Sequence, residues 1–187
     1  MTKLFRYGGI VASIVLIAFG IGSVVIGYQG RDQVRTELAR EQIVGTEDST
    51  IAGQKVDTGT EAQAFAKIMR THTLEATGGQ TYAQMGRYLD QAGKPTNDEK
   101  RAAKNDQSGK PVDNPLRQLW VTETALTTAL NTAYFAESVA TFVIAMGFAL
   151  LLVGAGFLVL TLLALRRPAP APADGWTASR AAPHTAG

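Results

Sequence analysis

The sequence predicts an all-α membrane protein, with two transmembrane helices extended into an antiparallel helical stalk and a small helical extracytoplasmic domain. Residues 7–28 and 138–165 are apolar runs without a charged side chain. As a helix, each run is long enough to cross a hydrocarbon core of roughly 30 Å. The residues between the runs, 29–137, show mainly helical periodicity and contain no cysteine. This segment therefore lies on one side of the membrane and must be stabilised by packing rather than by disulfides.

Charges next to the runs predict the topology. Lys3 and Arg6 precede the first run, and Arg166 and Arg167 follow the second. Because basic residues near a span are enriched on the cytoplasmic side, we expect a cell-membrane protein with both termini, 1–6 and 166–187, in the cytoplasm. The extracytoplasmic segment carries thirteen Lys and Arg against fifteen Asp and Glu, so it lacks the basic cluster typical of nucleic-acid binding.

A cleaved signal peptide is an alternative interpretation of the first run. The apolar stretch is longer than a signal-peptide core and no A-x-A site follows it, which favours a permanent helix. The tail 168–187 is rich in proline and alanine and too polar to bury a core, so we predict that it is disordered.

Small residues four apart indicate where two membrane helices approach closely. Ala18 and Gly22 form one candidate pair in the first run, and Ala145 and Ala149 form one in the second. Further pairs with this spacing are Gly9 and Ser13, Ser23 and Gly27, and Ala136 and Ala140. Such spacing lets helix backbones come together in lipid, where packing drives association. Because Gly and Ala are also frequent in membrane helices generally, the pattern alone does not decide the interface.

Both runs are predicted to continue as helices outside the membrane. Residues 29–44 continue the first run, and residues 116–137 lead into the second, with Asn114 as a candidate N-cap. Glu123 falls on the apolar stripe of the second segment, where a carboxylate needs a cationic partner or solvent. Counting residues outward from each membrane edge places Glu123 level with Arg40, so we expect Glu123 to pair with Arg40 or Arg35, or else to be solvated.

A helical hairpin is predicted between these extensions. Thr60 is a candidate N-cap for a helix over 61–76, and a second helix is expected over 81–92. The apolar positions of the two helices define a candidate interaction face: Phe65, Met69, His72, Tyr82, Met85 and Tyr88. We interpret His72 as a hydrogen-bonded core residue or a pH-sensitive contact rather than a metal ligand, because His184 is expected across the membrane.

No catalytic motif is present in the sequence. We find no phosphate-binding glycine loop, zinc-ligand pair, nucleophile turn or dinucleotide fingerprint, and we expect no cofactor and no metal. An enzyme would require converging carboxylates, for example Glu75 and Asp90 beside His72 in one pocket.

Three stretches carry a resemblance to a known family. Residues 40–45 (REQIVG), 72–82 (HTLEATGGQTY) and 120–127 (WVTETALT), set between two spans, resemble an uncharacterised family of actinobacterial two-span membrane proteins. The similarity covers about residues 1–165. Members sometimes carry the label aromatic ring-opening dioxygenase, which these residues do not support. Such enzymes hold iron with two histidines and a carboxylate, and the two histidines here are expected on opposite sides of the membrane.

Two hypotheses of function follow from the sequence. The first is a non-enzymatic accessory or scaffolding subunit, whose extracytoplasmic domain binds another membrane or envelope protein or a second copy of itself. The alternative is a ligand-sensing domain that signals laterally to a partner, because two spans enclosing a helical bundle are similar to the sensor part of a chemoreceptor.

Overall fold

The computed structural model describes residues 2–166, and within them the chain is mostly helical. Three helices and one very short sheet form in the order α1 (Thr2–Arg40), α2 (Gly59–Ala76), β1 (Tyr88–Leu89), β2 (Pro95–Thr96) and α3 (Pro115–Arg166). The expected helical character is therefore confirmed. The predicted disordered tail lies outside the described residues.

Two long helices dominate the molecule. α1 has 39 residues and α3 has 52, and neither interior contains a proline that would interrupt the backbone hydrogen bonds. Each contains one of the apolar runs, and both are long and apolar enough to cross a membrane. The predicted continuation of both runs as helices is confirmed, with α1 ending at Arg40 and α3 beginning at Pro115.

α1 and α3 pack against each other along their length. A Cβ added at Gly9 would meet Thr161, whereas one at Gly27 would meet Ile144. Further along α1, Arg31 bonds to Glu137 at 3.1 Å. Because the partners fall progressively earlier in α3, the two helices run in opposite directions.

A seven-residue repeat of small residues lies at this contact. On α1 the repeat consists of Ser13, Gly20 and Gly27, and on α3 of Ala140, Gly147 and Gly154, all of them buried. A Cβ at Gly20 would lie 2.9 Å from the carbonyl oxygen of Gly147, and one at Gly147 would lie 2.8 Å from that of Gly20. A repeat of seven keeps the same residues facing a partner helix in an antiparallel coiled coil.

The predicted packing positions with four-residue spacing are correct only in part: Gly9, Ser13, Gly27 and Ala140 lie at this contact, but the pairs Ala18 with Gly22 and Ala145 with Ala149 do not. Ala18, Ala145 and Ala149 are exposed, and a Cβ at Gly22 would meet nothing within 4 Å. The physical reason is angular drift. A step of four residues rotates around the helix by about 40°, whereas a step of seven rotates back by only about 20°. Over a long contact only the seven-residue set stays between the helices.

The N-cap of α2 lies two residues before the predicted one. Thr58, not Thr60, is the N-cap, and its side chain accepts a hydrogen bond from the backbone N–H of Glu61. The Glu61 carboxylate in turn accepts from the backbone N–H of Thr58 at 3.0 Å, which completes a capping box. Burial raises the pKa of Glu61, but hydrogen bonds from the backbone of Asp57 and from Thr58 outweigh it and lower that pKa.

One apolar core joins residues of all three helices. The cluster of buried apolar residues contains Leu38, Ile51, Val56, Ala62, Ala66 and Leu130. Of these, Ala62 and Ala66 belong to α2, and their small side chains allow this helix to lie close to its neighbours.

The second helix of the predicted hairpin does not form. Residues 81–92 consist of turns and of β1, which pairs antiparallel with β2 in the register Tyr88 with Thr96. Gly79 and Gly93 adopt positive φ, which favours turns at both ends of the segment. A Cβ at Gly86 would collide with the backbone of Thr96, so the close strand approach also requires glycine there.

Candidate interaction site

An apolar groove runs along the face of the α1–α3 pair. It has a volume of ≈ 1150 Å³. On α1 it begins at Ile26, on α3 it extends from Val143 to Leu126, and the α2 side chains Phe65 and Met69 form one edge. It is lined by residues 26, 27, 30, 33, 34, 37, 38, 41, 43, 65, 69, 126, 129, 130, 132, 133, 136, 139, 140 and 143.

Small residues on both long helices make room for the groove. Gly27 and Gly30 lie on the α1 side, and Ala133, Ala136 and Ala140 on the α3 side. Because these residues have short side chains or none, the space between the helices is not filled from within the chain. Larger apolar side chains form the walls, and two of them are strongly exposed: Ile26 at 66% and Leu126 at 49%.

The charges of the groove all have the same sign. Glu37 on α1 and Glu41 just after it are its charged residues, and Gln33 and Thr132 add neutral polar groups. Glu37 pairs within α1 with Arg40 at 2.7 Å, so its charge is largely compensated on the helix surface. Glu41 has no such partner among the described residues, so a molecule that covers this end of the groove would have to leave Glu41 in contact with solvent or supply a cation.

A polar cluster outside the groove joins the three helices. The Glu137 carboxylate accepts a hydrogen bond from Arg31 Nε at 3.1 Å and from Arg35 Nε at 2.7 Å, and its second oxygen accepts from the backbone N–H of Gly59. Burial raises the pKa of Glu137, but the bonds from Gly59, Arg35 and Arg31 outweigh it and lower that pKa. The cluster thus keeps Glu137 ionised and attaches the start of α2 to the long helices.

The predicted ion pair at Glu123 is not formed. Arg40 bonds to Glu37, and Arg35 bonds to Glu137. Glu123 is 3% exposed, its Oε2 accepts from the Thr124 hydroxyl at 3.3 Å, and its Oε1 has no hydrogen-bond partner. The expectation failed because the count from the membrane edges gave the wrong height. The contacts of Gly27 with Ile144 and of Arg31 with Glu137 place Glu123 beyond the end of α1 at Arg40.

The six residues of the predicted interaction face do not share one surface. Phe65 and Met69 line the groove, whereas Met85 and Tyr88 are buried at 2% and 8% exposure in the segment predicted to be a helix. Tyr82 is 45% exposed. The face is divided because residues 81–92 fold as turns and a short strand.

His72 forms a surface contact rather than a core contact. Its Nε2 hydrogen-bonds the Asp48 carboxylate, and the two side chains are 41% and 58% exposed. This bond raises the pKa of His72 and lowers the pKa of Asp48. The pair connects the loop after α1 to α2.

Two aromatic residues attach the loop segment to the start of α3. Trp120 is 3% exposed, and its indole N–H donates to the carbonyl oxygen of Gln80 at 2.8 Å. The Arg117 guanidinium lies 4.0 Å from the ring centroid of Tyr82, within the range of a cation–π contact. These contacts fix the position of the loop on α3 without a disulfide.

No metal-binding group is found among the residues that the structure describes, since none of their His, Asp and Glu side chains form a cluster of three or more that could hold an ion. None of Glu75, Asp90 and His72 lines the groove. No protein-family model matches the chain, and no curated protein or solved structure is significantly similar to it.

Apart from Phe65, Met69 and Arg35, the residues of the polar cluster and the groove were not predicted from the sequence, and Arg35 was expected to pair with Glu123 rather than Glu137. A signal for the cluster was present, because Arg31 and Glu137 both lie within a few residues of an apolar run and so at similar heights. The groove had a weaker signal: Ala129, Ala133, Ala136 and Ala140 follow three- and four-residue steps on α3. Alanine at such positions is equally typical of a closely packed helix pair, so the pattern does not indicate an open surface.

Proposed function

We propose that this chain is a non-enzymatic integral membrane protein that acts as an accessory or scaffolding subunit. Its extracytoplasmic segment, 29–137, would be the unit that contacts another protein chain. The observation that carries the proposal is the apolar groove, which remains open although it is bounded by the packed core. An exposed apolar surface of this length on a well-packed protein is typical of a protein contact.

The membrane location is supported by the exposure of the apolar helices. Only 11% and 6% of their most apolar windows are buried inside the protein. The core helix of a water-soluble protein would be covered on most sides, so these surfaces are suited to lipid. The basic residues at the outer ends of the two runs support cytoplasmic termini and an extracytoplasmic stalk.

The topology can be tested because the chain contains no cysteine. Asp98→Cys places a thiol in the exposed loop, and we expect a membrane-impermeant maleimide to label it in intact cells. Ser179→Cys, in the tail, should be labelled only after the cells are permeabilised. The opposite pattern would reverse the orientation and contradict an extracytoplasmic domain.

The protein-contact proposal is tested by a photoreactive side chain in native membranes. Benzoylphenylalanine at Leu126 lies on the groove wall, and the same residue at Val121 is a matched control, since the two native side chains are 49% and 47% exposed but only Leu126 lines the groove. We expect a protein adduct of defined mass from position 126 and none from position 121. Lipid adducts alone at position 126 would contradict the proposal.

A ligand-sensing domain is the second candidate. The groove volume of ≈ 1150 Å³ is large enough for a small molecule, and Phe65 and Met69 line it. Its open side along two helices favours a protein partner. A small molecule that copurifies with the chain and is lost on Phe65→Ala would favour sensing instead.

A further inference from the structure

The polar cluster of Arg31, Arg35 and Glu137 lies at the edge of the apolar runs. Arg31 is three residues beyond Tyr28, the last residue of the first run, and Glu137 directly precedes the second run. At a rise of about 1.5 Å per residue, Arg31 is about 4.5 Å above the end of the first run. A bilayer with a hydrocarbon core of roughly 30 Å is about 40–45 Å thick with its headgroups, so each headgroup layer is about 5–8 Å deep. Under the proposed membrane orientation, the cluster therefore lies in the layer of the lipid phosphates.

Two tyrosines lie at the same level on the outside of the helix pair. Tyr28 on α1 is 53% exposed, and Tyr134 on α3 is 36% exposed. Tyr28, Arg31 and Arg35 follow each other at steps of three and four residues, so they share one face of α1. Tyrosine is enriched at membrane interfaces, because its ring is apolar and its hydroxyl is polar. None of these residues lines the groove, so this surface is separate from it.

The hydrogen-bond donors of the two arginines are only partly used within the chain. Arg31 and Arg35 both donate through Nε to the same oxygen of Glu137, and within residues 2–166 neither guanidinium bonds to another residue. A guanidinium carries five N–H donors in a planar fork that matches the oxygens of a phosphate. The two side chains are 36% and 40% exposed, so their remaining donors can be reached from the headgroup layer. Glu137, itself buried, holds both guanidiniums in place.

Carboxylates around the cluster determine which headgroup fits. Asp32, three residues before Arg35 on α1, is exposed and forms no ion pair within residues 2–166. At the start of α2, Asp57 is exposed and Glu61 belongs to the capping box. Together with Glu137 these carboxylates outnumber the two guanidiniums, so a headgroup with a net negative charge is disfavoured. A headgroup that carries both a phosphate and an ammonium adds no net charge, and its ammonium can pair with Asp32.

We infer that Arg31 and Arg35 bind the phosphate of a zwitterionic phospholipid in the extracytoplasmic leaflet, and that Asp32 pairs with the ammonium of the same headgroup. This inference rests on the membrane orientation in the proposed function, but not on the groove. Glu137 is a positioning residue, since it orients both guanidiniums through its own hydrogen bonds. The bound lipid lies beside Gly59, where α2 is attached to the long helices.

Native mass spectrometry of the full-length protein, released from detergent micelles, counts the lipids that remain bound. The probes are phosphatidylethanolamine, with a phosphate and an ammonium, phosphatidylglycerol, with a phosphate and a net negative charge, and diacylglycerol, with neither group. At a low ratio of lipid to protein we expect the wild type to retain one phosphatidylethanolamine, less phosphatidylglycerol and no diacylglycerol. Excess inorganic phosphate should not displace the lipid, because the acyl chains also contact the apolar runs.

Arg31→Gln removes one guanidinium from the site, and Arg40→Gln is the matched control, since Arg40 lies on the same helix and pairs with Glu37. Hydrogen bonds between charged groups are strong, so we expect Arg31→Gln to bind phosphatidylethanolamine about tenfold more weakly and Arg40→Gln to bind it as the wild type does. Because Arg31→Gln also removes a partner of Glu137, its Tm is measured without lipid to show that it is folded.

A second pair of variants tests the selectivity on a residue without an intramolecular contact. Asp32→Asn should weaken the binding of phosphatidylethanolamine and strengthen that of phosphatidylglycerol, because the partner of the ammonium is removed together with a negative charge. Glu47→Gln removes another exposed carboxylate, in the loop after α1, and should leave the preference for phosphatidylethanolamine unchanged.

The other outcomes overturn the inference. Equal retention of all three probes would show an unspecific lipid shell, and a preference of the wild type for phosphatidylglycerol would show an anion site. Displacement of the lipid by inorganic phosphate would show a site for free phosphate, and an unchanged preference in Asp32→Asn would exclude recognition of the ammonium. None of these results alters the labelling of Asp98→Cys or the adduct at position 126, so the proposed function is tested separately.

Discussion

Replacing Glu137 by glutamine tests the polar cluster that joins the three helices. The carboxylate accepts from Arg31 at 3.1 Å and from Arg35 at 2.7 Å, and also from the backbone N–H of Gly59. Glutamine keeps the shape and one acceptor oxygen, but loses the charge and the second acceptor. At least one of the three donors is therefore left without its partner.

The loss of stability expected for Glu137→Gln depends on how exposed the carboxylate and the two arginine side chains are. Hydrogen bonds to charged groups contribute about 1.5–3 kcal/mol each, and breaking a buried ion pair costs about 3–5 kcal/mol. The arginine side chains, however, are 36% and 40% exposed and can be solvated again after the change. We expect Glu137→Gln to cost about 2 kcal/mol. For a chain of this length, this lowers Tm by about 4–8 °C.

The stability that Glu137 contributes should depend on pH. The pKa of Glu137 in the folded protein is lowered from the ordinary value of 4.5. Its contribution is therefore complete above about pH 4.5 and is lost as the pH falls through the lowered pKa. The difference in Tm between the wild type and Glu137→Gln, measured by scanning fluorimetry in detergent, should be largest near neutral pH and shrink in acid.

Glu123→Gln is the matched control. Both carboxylates are buried on α3, but Oε1 of Glu123 has no partner. A neutral amide with one unpaired group costs less than an unpaired carboxylate, so this change should be neutral or stabilising. If Glu123→Gln lowered Tm and Glu137→Gln did not, the assignment of the cluster would be refuted.

Three further predictions concern other contacts. Gly147→Ala forces a Cβ to within 2.8 Å of the α1 backbone, so we expect a cost of about 1–3 kcal/mol by thermal unfolding. Gly22→Ala, with nothing within 4 Å, should be neutral or slightly stabilising, because alanine favours a helix more than glycine does. Thr58→Ala removes the cap of α2 and should cost about 1 kcal/mol, detected as faster amide exchange in its first turn. The His72 contact to Asp48 stabilises fully between about pH 3.8 and 6.5 and weakens as the pH rises through the raised pKa of His72, so Asp48→Asn should lower that pKa in an NMR titration. An unchanged His72 pKa in Asp48→Asn would contradict the contact.

The sequence was sufficient for the long helices because their signals are strong and local. Two charge-free runs without proline, followed or preceded by good helix formers, leave little choice to the backbone. Asn114 before Pro115 likewise indicates the start of α3, and the Leu116 N–H does donate to the Asn114 side chain at 3.1 Å. Each of these features depends on residues within a few positions of one another.

The segment 81–92 shows where local pattern is insufficient. Tyr82, Met85 and Tyr88 repeat at three-residue spacing, which predicts a helix face. In the structure Met85 and Tyr88 are buried, but from turns and a two-residue strand that pack near the start of α3. Spacing of apolar residues reports that they are buried, and only tertiary contacts decide which backbone conformation buries them.

The contact between α1 and α3 was predicted only in part, for a different reason. The correct signal was present, with small residues seven apart at Ser13, Gly20 and Gly27. Pairs four apart, such as Ala18 and Gly22, competed with it. A single pair of small residues does not distinguish the two spacings. The length of the contact selects the seven-residue repeat, because a four-residue repeat rotates away from the contact within a few turns.

Glu137 is suited to fix the register of the two long helices. Small residues repeat every seven positions on both, so a shift of one repeat would leave much of the apolar contact intact. After such a shift Glu137 would face Val24 or Leu38 instead of Arg31, and its charge would lose a partner. A single polar residue in an apolar contact specifies register at some cost in stability. Since the same carboxylate binds the Gly59 N–H, the register of the long helices also sets the position of α2.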